Sequence, residues 1–180
     1  MKRAVGLLLA AVLITGCANV ARTPVPALAD GDLRLSGRLS VQVAGNAGKA
    51  SGGNAGFELI GNPAAGQLEL STPLGSLVAL ASWRDGAVRL QTPEDERHFD
   101  DLDALTRDLL GEPIPVAALF DWLSGKPWPQ AAHVASAQGF EQLGWAIDLA
   151  KFSEGLLVAT RRAEPVVTLR ARLDTPPAAK

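Results

Sequence analysis

A thiol, two imidazoles and a run of carboxylates are the side chains of this sequence most able to form covalent bonds, hold metals or move protons, and their positions separate them. The thiol is Cys17, the only cysteine among 180 residues. It follows a basic start, Lys2-Arg3, an apolar run from Ala4 to Ile14, and the small residues Thr15 and Gly16. These are the parts of an export signal, and the run is too short to span a bilayer. A lone cysteine is often only a small buried apolar residue, but the position and flanks of Cys17 favour covalent modification. With no second cysteine, no internal disulfide framework exists and the fold must hold by its core. His98 and His133 stand too far apart in sequence to form a local metal pair. The carboxylates Glu94-Asp95-Glu96, Asp100, Asp101 and Asp103 lack the alternating spacing and central glycine of a calcium loop, and read as a solvated turn and helix start. Gly48-Lys49-Ala50-Ser51 departs from the spacing of a phosphate-binding loop, and the nucleophile pattern Gly-x-Ser-x-Gly is absent. The expectation is a binding or transfer module with no catalytic residue, no metal and no cofactor. A hydrolase would need a serine brought to His98 or His133 and a carboxylate by the fold.

Leu13-Ile14-Thr15-Gly16-Cys17 resembles the lipobox of bacterial lipoproteins. The resemblance implies that the thiol takes a diacylglycerol, that the chain is cut before Cys17, and that the new amino group is acylated. Residues 1–16 would then be the signal peptide, and the only attached groups would be the acyl chains on Cys17. In such lipoproteins an aspartate after the cysteine signals retention at the inner membrane; Ala18 here implies the periplasmic face of the outer membrane. Loss of residues 1–16 removes Lys2 and Arg3, so the whole chain's net charge of −2 becomes −4 in the mature protein, a poor match to nucleic acid. Aromatic residues make up 5% of the chain, with no tyrosine, against 47% hydrophobic residues overall, so the core must be walled by leucine, valine and alanine. Such walls suit aliphatic contents, and equally an ordinary aliphatic core.

The elements that must carry any site follow from periodicity. Residues 17–31, with Pro24 and Pro26 and no apolar pattern, read as an extended tether. One domain of 32–174 fits the usual size range, and 175–180 read as a disordered tail. From Leu33 to Val43 apolar residues alternate with polar ones, the pattern of a half-buried strand. Gly45 to Gly56 reads as a flexible hairpin loop. Strands are then expected at Phe57 to Ile60, Gln67 to Ser71, Leu77 to Trp83 and Ala87 to Gln91, with Asp85-Gly86 as a two-residue hairpin turn. At Asp100 the period changes. Asp100 or Asp101 can cap a helix whose face is Leu102, Leu105 and Leu109, ended by Gly111; a second helix, with Pro115 at its first position, has the stripe Val116, Leu119, Phe120 and Leu123. Alternation returns in Leu143, Trp145, Ile147 and Leu149, then in Leu156 to Arg161, then in Val167, Leu169, Ala171 and Leu173. The whole is a mainly β fold with α: a curved antiparallel sheet with helices packed on one side. Ser71-Thr72-Pro73-Leu74-Gly75-Ser76 interrupts two strands with a leucine that turn chemistry does not require. Leu74 either folds back onto the core or points outward as an apolar tip.

Thr72-Pro73-Leu74-Gly75, then Gly111-Glu112-Pro113-Ile114-Pro115-Val116-Ala117-Ala118-Leu119-Phe120-Asp121-Trp122-Leu123-Ser124-Gly125-Lys126-Pro127, then Gly144-Trp145, all behind a lipobox, resemble the LolB family of lipoprotein receptors over roughly Leu33 to Leu173. The resemblance implies an incomplete antiparallel β-barrel, its open side closed by helices around an apolar cavity for acyl chains. The expected cavity residues are Leu39, Val41, Val43, Phe57, Leu59, Leu68, Leu70, Leu119, Trp122, Trp145 and Ile147. It also implies that Leu74, set between Pro73 and Gly75, protrudes and helps deliver cargo into the bilayer. The partners implied are a LolA-type periplasmic carrier, triacylated lipoproteins as cargo, and the outer membrane, with the protein acting as a monomer. Two departures bear on cavity shape: Phe57-Glu58-Leu59 stands where the family commonly has Phe-x-Trp, and the last strand ends in Leu173-Asp174 without the usual aromatic. The loop between Ala150 and Leu156 is also short. The competing reading is a structural or assembly lipoprotein that uses a filled-core domain as a protein-binding surface.

Overall fold

A computed structural model describes residues 31–44, 51–110 and 113–175. The signal segment, Cys17, the tether up to residue 30, Gly48-Lys49-Ala50 and Gly111-Glu112 lie outside the described residues, as does the tail from residue 176.

The alternating stretch forms β1 (Leu33–Val43), and it pairs along its full length with β2 (Ser51–Gly61). Beyond β2 the chain meanders through β3 (Ala65–Ser71), β4 (Leu77–Arg84), β5 (Ala87–Gln91) and β6 (Glu96–Phe99). Two helices follow, α1 (Leu102–Leu110) and α2 (Val116–Trp122). The chain then returns through β7 (His133–Ser136), β8 (Gly139–Gln142), β9 (Trp145–Asp148), β10 (Leu156–Arg161) and β11 (Val167–Leu173). Between β9 and β10 lies a short 3₁₀ turn, Phe152–Glu154.

All eleven strands lie in one antiparallel sheet in the order β6-β5-β4-β3-β2-β1-β11-β10-β9-β8-β7. The chain therefore starts in the middle of the sheet, builds outward to one edge, and returns from the other edge until β11 docks beside β1, with Gly37 opposite Leu173 and Val43 opposite Val167. Strands β6 and β7 remain as edges, so the sheet curves without closing. The helices form the link between these two edges, and the apolar side chains of β1, β2, β4, β5 and β8–β11 join Leu105, Leu119, Phe120 and Trp122 from them in one core. This is the incomplete antiparallel barrel with helical cover that the sequence led us to expect.

Several boundaries differ from the sequence expectation. Strand β2 begins at Ser51, within the stretch read as a loop, because glycine and asparagine give no apolar period yet pair by backbone alone: Gln42 faces Gly52 and Val41 faces Gly53. Glycine is required at position 52, where φ is +145° and a Cβ would lie 2.1 Å from the Val41 carbonyl oxygen. Strand β6 falls in the acidic stretch, held to β5 by the Arg89–Glu96 ion pair, and its charged residues suit an edge. Pro115 precedes α2 with ψ 77°, outside the helix proper. Strands β7 and β8 carry no apolar alternation, since all four residues of β7 are exposed. Leu143 lies in the turn between β8 and β9, where φ is 53°, and not in a strand.

Candidate functional site

The concave face of the sheet encloses an apolar cavity of about 250 Å³ between strands and helices. Leu39 and Val41 on β1, Leu68 and Leu70 on β3, Ala79 and Ala81 on β4 and Leu90 on β5 form its floor. Leu102, Leu105 and Leu109 on α1, with Ile114, Val116 and Leu119, form its roof. None of the lining side chains ionises; Asn54 and Thr106 are the polar ones. The Thr106 hydroxyl is spent on backbone groups, donating to the Asp103 carbonyl at 3.2 Å and accepting from the Ile114 amide at 2.9 Å. A buried hydroxyl satisfied in this way leaves the wall apolar. Val78 and Leu109 are 43% and 45% exposed, which places apolar side chains where the cavity meets solvent.

The roof is held by polar contacts at its ends. The Ala104 amide donates to Asp101 Oδ1 at 2.6 Å, the cap that starts α1. Arg97 on the edge strand β6 reaches Asp108 on α1. α2 is fixed from beneath by Gln142, itself 2% exposed: its Oε1 accepts from Trp122 Nε1 at 2.8 Å and from the Trp128 amide at 2.9 Å, and its Nε2 donates to the carbonyls of Trp128 and Ala131 at 2.7 and 2.8 Å. Trp122 also packs against Trp145, with ring centroids 6.1 Å apart. On α2, burial holds the Asp121 carboxyl above its ordinary range, opposed by the nearby Lys126 charge.

Of the residues expected to line a cavity, Leu39, Val41, Leu68, Leu70 and Leu119 do so. Val43, Phe57, Leu59, Trp122 and Ile147 are instead packed in the core around it. The reason for Trp122 and Ile147 is topological: Ile147 lies on β9, and the indole of Trp122, at the end of α2, is spent on Gln142 of β8 and Trp145 of β9. Trp145 borders a different depression, where residues 113–118 and the start of α1 meet the turns at one end of the sheet. With Leu90, Ile114, Val116 and Leu169, the alanines of β4 and the leucine stripe of α1 add to the lining. Both were legible as an apolar parity and a helix face, and only their convergence was not.

Leu74 is 94% exposed at the tip between β3 and β4. Its loop is stiffened by three hydrogen bonds: the Thr72 amide donates to the Ser76 carbonyl, the Gly75 amide to the Thr72 carbonyl, and the Ser76 amide to Thr72 Oγ1. Gly75 takes φ 82°, a left-handed conformation that glycine adopts without strain. The two histidines lie on opposite edges, His98 on β6 and His133 on β7. Among the described residues, no group of three or more His, Cys, Asp or Glu side chains is arranged to hold a metal ion, and no helix is long and apolar enough to cross a membrane.

Comparison with known proteins agrees with this geometry. The family described as "Outer membrane lipoprotein LolB" matches residues 32–165. The outer-membrane lipoprotein LolB of Chromobacterium violaceum is 37% identical over 152 residues, covering 82% of each chain. That of Bordetella petrii is 33% identical over 172 residues, covering 89% of this chain and 85% of its own, and that of Ralstonia nicotianae is 34% identical over 168, covering 84% and 79%. With the match running through every element from β1 to β10 and into the turn before β11, the chain belongs to the LolB family of outer membrane lipoproteins.

Proposed function

We propose that this protein is anchored at Cys17 to the periplasmic face of the outer membrane, accepts acylated lipoproteins from a LolA-type carrier into the cavity under α1 and α2, and passes them into the outer membrane. The observation that carries this reading is a hollow with purely non-ionising walls inside a fold of the LolB family. A fatty-acyl chain of about fifteen methylenes costs ~12 kcal/mol to expose to water, and three chains ~36 kcal/mol, at ~0.8 kcal/mol each. A triacylated lipoprotein therefore crosses the periplasm only on a carrier. The same sum exceeds the ~18–21 kcal/mol at which non-covalent affinity saturates, so no receptor holds every chain with full gain and still releases it. Transfer consequently runs between sites of graded affinity, with the bilayer as the final solvent. It needs no bond-breaking step in this protein, which acts by binding and release.

Leu74 supplies the exit. An exposed leucine on a stiff loop makes no core contact to lose, so Leu74→Glu should leave the unfolding free energy within about 0.5 kcal/mol of the parent. It should also leave acceptance from the carrier intact and block insertion into membranes. Unchanged insertion would remove Leu74 from the mechanism.

The test of the whole reading is to mix the mature chain carrying Cys17→Ala, which lacks only the acyl anchor, with a purified complex of LolA-type carrier and triacylated lipoprotein, and to separate the two proteins. Cargo is expected on this chain. Cargo left on the carrier would favour a structural lipoprotein that offers its surface to a protein partner.

A further inference from the structure

Beside the cavity, where the start of α1 and residues 113–118 meet the β2–β3, β4–β5 and β8–β9 turns, lies a second depression, of about 690 Å³, bordered by Trp83, Trp128, Trp145, Leu143, Pro113 and Pro115. One thickness of backbone separates it from the cavity. Along residues 113–116 the contacts alternate: Pro113 and Pro115 border this groove, while Ile114 and Val116 border the cavity. Trp83 and Leu102 contribute to both. The cavity, at about 250 Å³, is smaller than the roughly 300–1,000 Å³ of ordinary ligand pockets. An apolar ligand with more than one chain outgrows it, and the nearest further apolar surface is this groove.

Leu143 is the residue that ordinary packing leaves unexplained. It occupies the first position of a two-residue hairpin turn, with φ 53° followed by φ 77° at Gly144. The same turn recurs at Asp85 and Gly86, φ 53° and 83°, with a residue type that tolerates this region. A leucine there is strained, and it is also 46% exposed. Backbone geometry and solvation both argue against leucine at 143, yet it stands beside Trp128 and Trp145 at the groove. The charged side chains that border the groove are Asp85, Asp101 and Asp103, all exposed to water, and Arg161, half-buried, whose guanidinium donates to the Pro165 carbonyl at 3.2 Å.

We propose that this groove is a second fatty-acyl site, which takes one chain of a multiply acylated cargo while the cavity takes another, with Leu143 as its outer wall. The assignment rests on acyl acceptance as read above. It implies that the wall of residues 113–116 is where a lipid anchor straddles the protein, one chain on each side.

Bromine-labelled stearate quenches an indole only on contact, and Trp128, half-buried, borders the groove and not the cavity. Titrating it into the mature chain carrying Cys17→Ala should give two binding phases, one of which loses amplitude in a Trp128→Phe variant while Trp83 and Trp145 still report it. Leu143→Asp should weaken that phase by about tenfold or more and leave the other unchanged. Because aspartate suits the turn better, the same substitution should keep or raise the urea midpoint, which separates lost binding from lost folding. Ala81→Phe, which fills the cavity floor, should abolish the other phase alone. One phase only, lost in Ala81→Phe and indifferent to Leu143→Asp, would overturn the groove site and leave acyl acceptance standing. No quenching at all in the parent would overturn both.

Discussion

Gln142→Leu is expected to lower the unfolding free energy by about 3–5 kcal/mol. The amide of Gln142 uses both donors and its oxygen twice, on Trp122 Nε1, the Trp128 amide and the carbonyls of Trp128 and Ala131. Leucine fills the same space and satisfies none of them. Each buried polar group left without a partner costs about 1–3 kcal/mol, and Trp122, wholly buried, has no water to turn to. Against a total of about 5–15 kcal/mol for a domain, this is a large fraction. With a slope of about 2 kcal/mol per molar, the urea midpoint should fall by roughly 2 M. A fall below about 0.5 M would mean that the network does not anchor α2. The consequence for function is positional: Trp122 is the last residue of α2, and Leu119, one turn earlier, is part of the cavity roof.

That network was not legible in the sequence. Gln142 stands in a stretch without apolar alternation, and its partners lie 11 to 20 residues away, at the end of α2 and in the loop that follows it, a register that only the tertiary fold establishes. The same holds for β7 and β8, which are strands by pairing and not by composition. By contrast β1, β5, β10 and β11 have the limits read from their alternation. There a half-buried face imposes period two on the sequence, and the period marks both ends. The Asp85-Gly86 turn was legible for the complementary reason, that its residue types match its dihedrals. Leu143-Gly144 has the same dihedrals and was hidden, because a leucine two residues before Trp145 reads as one more member of an apolar face. Leu74 shows the same mismatch between residue type and turn, and at Leu143 that mismatch falls at the groove beside Trp128 and Trp145. For the cavity, each lining face was visible separately, but which faces converge depends on the helices crossing from β6 to β7, and five of the eleven expected lining residues converge there.

Ala81→Phe is expected to remove acyl acceptance into the cavity while leaving the domain as stable as the parent or more so. Ala81 sits at the centre of the floor, opposite Leu68 on β3 and Leu90 on β5, and all three line the hollow. In a close-packed core, adding a ring at such a position forces neighbours from their rotamers and costs about 1–3 kcal/mol. Next to an apolar hollow the ring instead gains contact surface at ~25 cal/mol per Å² removed from water, and the space it takes is the space a chain would occupy. The substitution therefore separates the two architectures that the sequence left open. A receptor with a working cavity trades function for stability here, retaining its urea midpoint while the cargo stays on the carrier. A filled-core structural lipoprotein loses stability at this position and has no acceptance to lose. A midpoint lowered by 1 M or more together with unchanged acceptance would place cargo elsewhere on the molecule. A retained midpoint with acceptance lost would fix the cavity floor as the surface against which the acyl chain lies.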